Sequence, residues 1–232
     1  MVEEVAAMEY GDTQKLSISQ SIVEQMSLST IRNIMDAIVE LITNCDDSYR
    51  RLEQDQISAT GNINIFIQRE KGGSVKSLII RDNAEGMDRP SLEKAIEFGE
   101  PASGIKEGKT VRGFFGRGLK EAIIALGKGR IDTIKNNIYD SAEVWWETKQ
   151  GNYRLLKQPV QVTDDIRKKT GISEGNGTVV TIDIKNPKMI CPEYKSFKHQ
   201  LTCHYALRDI NSSTERNAIF GNMGVSTLAR LC

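Results

Sequence analysis

The chain has 232 residues, 39% of them hydrophobic and 27% charged, which is enough to bury one substantial core without disulfide staples and excludes a disordered protein. Its 31 basic and 31 acidic side chains cancel, so no global field draws it to an anionic surface, and net charge leaves nucleic acid undetermined as a partner. No apolar run approaches the roughly 18 residues of a membrane span, and the N-terminus lacks the basic-then-apolar pattern of a signal peptide, which reads as a cytoplasmic protein with no membrane partner.

Residues 1–14 are polar and read as a mobile segment. Lys15–Ser19 alternates as a short strand does, and Ser21–Met26 suits a helical turn. A long helix follows from near Thr30, with Ser29 or Thr30 as its N-cap and Arg50 and Arg51 at its C-terminal end. Asn62–Gln68 and Val75–Arg81 form a hairpin across Lys71-Gly72-Gly73-Ser74. After the loop Asp82 to Met87, Asp88 or Ser91 caps a helix over Leu92–Phe98 that Gly99 stops. Residues 100–112 have no apolar period, so they are either a linker or a functional loop.

Gly113-Phe114-Phe115-Gly116-Arg117-Gly118 then opens an apolar helix, Leu119–Leu126, closed by Gly127 and Gly129. Strands are expected over Arg130–Ile134, Ser141–Thr148, Tyr153–Lys157 and Thr178–Ile184, with a charged surface excursion between Pro159 and Gly177. A final helix is expected from Glu193 to about Leu207, and the last two dozen residues show no clear period. Cys191, His199, Cys203 and His204 have metal-ligand types but not the spacing of a zinc site, so two ordinary buried cysteines are the better reading. The order of elements predicts an α+β two-layer sandwich, with helices on one face of a mixed, mostly antiparallel sheet.

The chemistry concentrates in three places. On the long helix, Glu40, Asn44 and Asp47 are spaced by four and three residues, which returns them to one stripe, while Ile34, Ile38, Leu41, Ile42 and Cys45 occupy a different arc. By itself that stripe is equally a solvated face. The second place is Asp82-Asn83-Ala84-Glu85-Gly86-Met87 at a strand end, which by itself is equally a plain turn. The third is the glycine run Gly113 to Gly118, which is neither a Rossmann fingerprint nor a P-loop. Glycines before a helix N-terminus expose backbone N–H groups to a phosphate chain, and Lys120 either reaches a phosphate or solvates its helix. Asn44 suits a magnesium ion bridging the phosphates, Glu40 the activation of water, and Asp82 the exocyclic amine of a purine. Jointly the parts describe an ATP site. Asp46 points off the stripe, and its replacement is expected to leave turnover unchanged.

The ordered set Glu40-x-x-x-Asn44-x-x-Asp47, Asp82-Asn83-Ala84-Glu85-Gly86-Met87, Gly113-x-x-Gly116-x-Gly118 and Gly177-Thr178 resembles the four boxes of the GHKL ATPases, which include gyrase B subunits, heat-shock chaperones, sensor histidine kinases and MutL proteins. The resemblance covers roughly residues 15–185. It implies the Bergerat ATP-binding fold over 15–190, with 191–232 supplying a helix and the start of a following domain. It also implies Glu40 as the water-activating base, Asn44 as the Mg²⁺ ligand, Asp82 as the adenine-binding acid and Thr178 behind the adenine. Asp47, Gly86 and Met87 border the nucleotide in this reading. The stretch from Gly99 to Gly118 matches the ATP lid, with Gly113, Phe115, Gly116, Arg117, Gly118, Leu119 and Lys120 near the phosphates. Two residues depart from the pattern: Ala84 stands where the family usually has glycine, and Glu85 where a small or apolar residue is common.

The implied activity is Mg²⁺-dependent ATP hydrolysis that drives a conformational switch, with homodimerisation on ATP binding. A nucleotide-sensing module without turnover is the alternative. Phosphotransfer of histidine-kinase type is disfavoured because His199 and His204 follow the ATP domain rather than precede it.

Overall fold

A computed structural model describes residues 20–57, 61–97, 118–212, 216–222 and 225–230. The expected strand at Lys15–Ser19, the N-terminal segment, the stretch 100–112 and the positions Gly113, Phe115, Gly116 and Arg117 lie outside the described residues.

The helical turn expected at Ser21–Met26 lies within a longer helix, and the long helix begins after Thr30. Helix α1 runs Gln20–Thr30, and α2 runs Ile34–Gln54. Ser29 and Thr30 do not cap α2, because both hydroxyls donate back to the Met26 carbonyl in the last turn of α1, at 2.9 and 3.0 Å. Asn33 is the cap: its Oδ1 accepts the Asp36 N–H at 3.0 Å, while Asp36 Oδ2 accepts the Arg32 N–H at 2.9 Å. The apolar arc of α2 is buried as its periodicity requires, with Ile34, Ile38, Leu41, Ile42 and Tyr49 all at 2% exposure or less.

Strands β1 (Gly61–Arg69) and β2 (Val75–Asp82) form the expected hairpin. Helix α3 (Arg89–Ile96) is capped by Asp88, with Pro90 in its first turn, and α4 (Gly118–Leu126) is buried along Lys120–Leu126. Gly129 does not close α4. It lies inside β3 (Gly127–Lys135), where a β-carbon would crowd Ile123 of the overlying helix at 2.7 Å. Next come β4 (Ile138–Glu147), β5 (Gln150–Leu155) and β6 (Val160–Gln161).

The surface excursion contains a helix, α5 (Asp164–Thr170), capped by Thr163 and ended by Gly171 in the left-handed conformation. β7 spans Gly177–Ile184. The C-terminal helix breaks earlier than expected, into α6 (Tyr194–Thr202), a 3₁₀ turn over Tyr205–Leu207 and α7 (Arg208–Ser212). Cys203, at the end of α6, is exposed rather than buried, whereas Cys191 is buried. The segment without a legible period carries β8 (Arg216–Asn222) and β9 (Val225–Arg230).

The nine strands among the described residues share one sheet, ordered β5-β4-β3-β7-β2-β1-β8-β9, with β6 beside β4. Among the described residues every pairing is antiparallel except β1 with β8. Alternation sends Ile63, Ile65, Leu78, Ile80, Ile131, Val180 and Ile182 to one face, where they meet α2, α4 and α6 in one core. Neighbouring strand residues Ile134 and Val179 point the other way and form a smaller cluster with Tyr139, Ile166 and Ile172. Helix α5 therefore covers the opposite face, while the other helices that reach a core lie on the first. The architecture is α+β with an open, mostly antiparallel sheet, as expected. Among the described residues, no helix is long and apolar enough to cross a membrane.

Candidate functional site

Sheet register gathers the first group of residues. Asp82 is paired with Thr178, and Thr178 with Thr133, so three polar side chains form one row across β2, β7 and β3 on the face beneath α2. Asp82 is 5% exposed. Its Oδ1 accepts the Ala84 N–H at 2.9 Å and the Thr178 N–H at 3.3 Å, and the Cys45 thiol of α2 also bonds the carboxylate. Burial pushes the Asp82 carboxyl up to about 6, and these donors together with the charge of Arg51 oppose the rise. The site therefore holds a buried acceptor at the end of β2.

The loop after Asp82 is held from several sides. Met87 donates its N–H to Thr133 Oγ1 at 2.7 Å, and the Thr133 hydroxyl donates to the Gly177 carbonyl at 3.3 Å. Gly86 has φ +65°, and a β-carbon there would overlap the Ile134 carbonyl oxygen, so this position needs glycine on both conformational and steric grounds. Ala84 is not among the residues with positive φ; it is buried at 3% and joins the core, so the departure from glycine costs no backbone strain. Glu85 is committed to structure, pairing with Arg51 in the last turn of α2 at 2.7 Å.

The second group lies between α2 and α4. Glu40 and Asn44 are half-buried and share the stripe with Asp47, which is 4% exposed. Helix α4 begins against them: a β-carbon on Gly118 would overlap Glu40 Oε2, lie 3.3 Å from its Cδ and 3.6 Å from Asn44 Nδ2. The glycine that opens α4 thus lets the backbone come up against the expected base and metal ligand. The Glu40 carboxyl is raised above the ordinary carboxylate range, first by burial and then by the charges of Glu121, Asp47 and Asp36. Asn44 Nδ2 is buried and finds no partner among the described residues. An amide oxygen with carboxylates one turn away on either side is a donor set of the kind a hard divalent cation takes, so Mg²⁺ fits these residues.

The other expected residues fall into place unequally. Leu119 packs partly buried against the core, and Thr178 Oγ1 lies 3.5 Å from Thr133 Oγ1. Lys120 is fully buried, with its ammonium donating to the Glu97 carbonyl at the end of α3, so it does not solvate its helix. Asp46, off the stripe, is also fully buried; its Oδ2 pairs with Arg50 Nε at 2.9 Å, so its replacement bears on stability. Thr133 and Tyr49 meet the Asp82–Met87 loop, at Met87 and Asn83, through partners far away in the chain, which no local pattern marks.

A family model described as histidine kinase-, DNA gyrase B-, and HSP90-like ATPase matches residues 32–171. Among curated proteins, no relative matches the chain.

Proposed function

Because this chain belongs to the family of histidine kinase-, DNA gyrase B- and HSP90-like ATPases, and so carries a GHKL-type ATP-binding domain, we propose that it binds ATP with Mg²⁺ and hydrolyses it. The observation that carries the reading is the approach of Gly118 to Glu40 and Asn44, which sets a helix N-terminus, a base with a raised pKa and an amide side by side.

In this reading Asp82 accepts the exocyclic amine of adenine, steadied by the N–H groups of Ala84 and Thr178. The start of α4 turns its positive dipole end towards the phosphates. Mg²⁺ at Asn44 would neutralise phosphate charge when bound. Glu40 orients the attacking water and takes its proton; a half-buried carboxylate with a raised pKa is a better base than a solvated one. Leu119 and Lys120 follow Gly118 and hold α4 in the core and against α3.

Family membership supports the further proposal that ATP binding switches the protein between two states, with homodimerisation as the readout. The test of hydrolysis is phosphate release by the wild type and by Glu40→Gln, with calorimetry of ADP binding alongside. Turnover by the wild type, lost in Glu40→Gln while ADP affinity stays the same, is the expected result. Equal turnover by both would remove Glu40 from the mechanism.

A further inference from the structure

Tyr49 heads the fully buried side chains by size and stands further along α2 than Glu40 and Asn44, on the apolar arc rather than the polar stripe. Its hydroxyl nonetheless ends in a polar junction. It accepts the N–H of Asn83 at 3.0 Å and the N–H of Asn62 at 3.1 Å, and it donates to Asn83 Oδ1 at 2.5 Å. One proton and two lone pairs are all a hydroxyl has; the Asn62 carbonyl, at 3.3 Å, is a second and longer acceptor for that proton beside Asn83 Oδ1. Asn83 Oδ1 also accepts the Asn62 N–H, at 2.8 Å. Room for the ring comes from Gly61, where a β-carbon would stand 2.8 Å from the ring tip.

The junction joins α2, the start of β1 and the residue directly after Asp82. The peptide units on either side of Asn83 aim the Asp82 carboxylate, because Ala84 closes an Asx turn onto Asp82 Oδ1. Resting on the reading of this pocket as an ATP site, we propose that Tyr49 is a positioning residue for base recognition: by locking Asn83 it holds Asp82 at the adenine, and so sets nucleotide affinity and base preference without entering hydrolysis. Burial, and after it the charge of Asp82, raise the pKa of the phenol, so the hydroxyl stays a neutral donor at every physiological pH. The ring and the hydroxyl act separately. The ring belongs to the core, and the hydroxyl carries the hydrogen bonds to the loop.

Calorimetry with ADP and with GDP, on the wild type, Tyr49→Phe and Asn83→Ala, together with steady-state ATP hydrolysis, tests this. Tyr49→Phe keeps the packing and removes the hydroxyl to which the Asn83 N–H donates, so ADP should bind about tenfold more weakly while GDP binding changes little. The KM for ATP should rise in parallel, and kcat at saturating ATP should stay within about twofold, because Glu40 and Asn44 lie elsewhere on the helix. Asn83→Ala leaves Tyr49 intact and should give the same narrowing of the ADP-over-GDP preference, with the double variant adding less than the sum. A general loss of stability would lower the active fraction and leave that preference untouched. An unchanged preference in both variants, with the wild type binding ADP, overturns the inference alone. Failure of the wild type to bind ADP or ATP overturns the ATP reading and the inference with it.

Discussion

The backbone of Gly118 abuts the carboxylate of Glu40, with no space for a β-carbon between them. The obstacle is the far end of a flexible side chain, so Gly118→Ala should fold and melt close to the wild type. Glu40, however, must rotate away from its working position. Loss of a positioned general base is worth roughly 10²–10⁴ in rate. Phosphate release by Gly118→Ala should therefore fall towards that of Glu40→Gln, while ADP affinity holds.

With Asp82 as the proposed adenine acceptor, it is expected to carry the pH dependence of nucleotide binding. Its folded-state pKa of about 6 lies above the ordinary value of 3.8, so the folded chain holds the extra proton between those pH values. Stability therefore falls as pH rises from about 4 to about 6, and the Asp82 contribution is level above that window. Nucleotide affinity runs the other way, because the amine of adenine needs the ionised acceptor. ADP binding measured from pH 8 to pH 5 should weaken below about pH 6, and Asp82→Asn should bind poorly without that inflection.

Gly86 and Gly175 both have positive φ, +65° and +63°, but only Gly86 faces a wall. Gly175→Ala should cost the conformational term alone, about 1–2 kcal/mol. Gly86→Ala must also push away the Ile134 carbonyl, so it should cost distinctly more and lose ADP binding. Denaturant melts of the two variants separate strain from collision.

Asp46→Ala should destabilise the fold by about 2 kcal/mol, since it strips Arg50 of a fully buried partner while leaving that guanidinium partly solvated. Turnover per folded molecule should be unchanged. Urea unfolding and an activity assay corrected for the folded fraction distinguish the two effects.

Ala84→Gly brings the loop back to the common family pattern. Ala84 needs no positive φ and is packed in the core, so the change should lower stability by roughly 0.5–1 kcal/mol and bring no gain in ADP affinity. Thermal melts and calorimetry on one preparation measure both.

The stripe of Glu40, Asn44 and Asp47 was legible because the helical period alone places three side chains on one face. The strands of the hairpin and the glycine opening α4 were legible for the same kind of reason: alternation and helix-start chemistry are local. Local rules also misled. Ser29 and Thr30 look like caps but bond back into their own helix, and Asn33 caps instead. That Asp46 points off the stripe was legible; that it is fully buried against Arg50 was not.

What the sequence determined by itself was the kind of residue at each candidate position and the element that bears it. Which of those residues meet was decided by the tertiary structure. The alignment of Asp82, Thr178 and Thr133 in one row follows from strand register between segments far apart in the chain. The closeness of Gly118 to Glu40, the engagement of Lys120 by Glu97 and the junction of Tyr49 with Asn83 follow from how α2, α3 and α4 pack on that sheet. The pairing of β8 with β1 is of the same kind, because a parallel partner leaves no mark on the periodicity of the strand it joins. Periodicity records which way a side chain faces; only the packed chain sets what it faces.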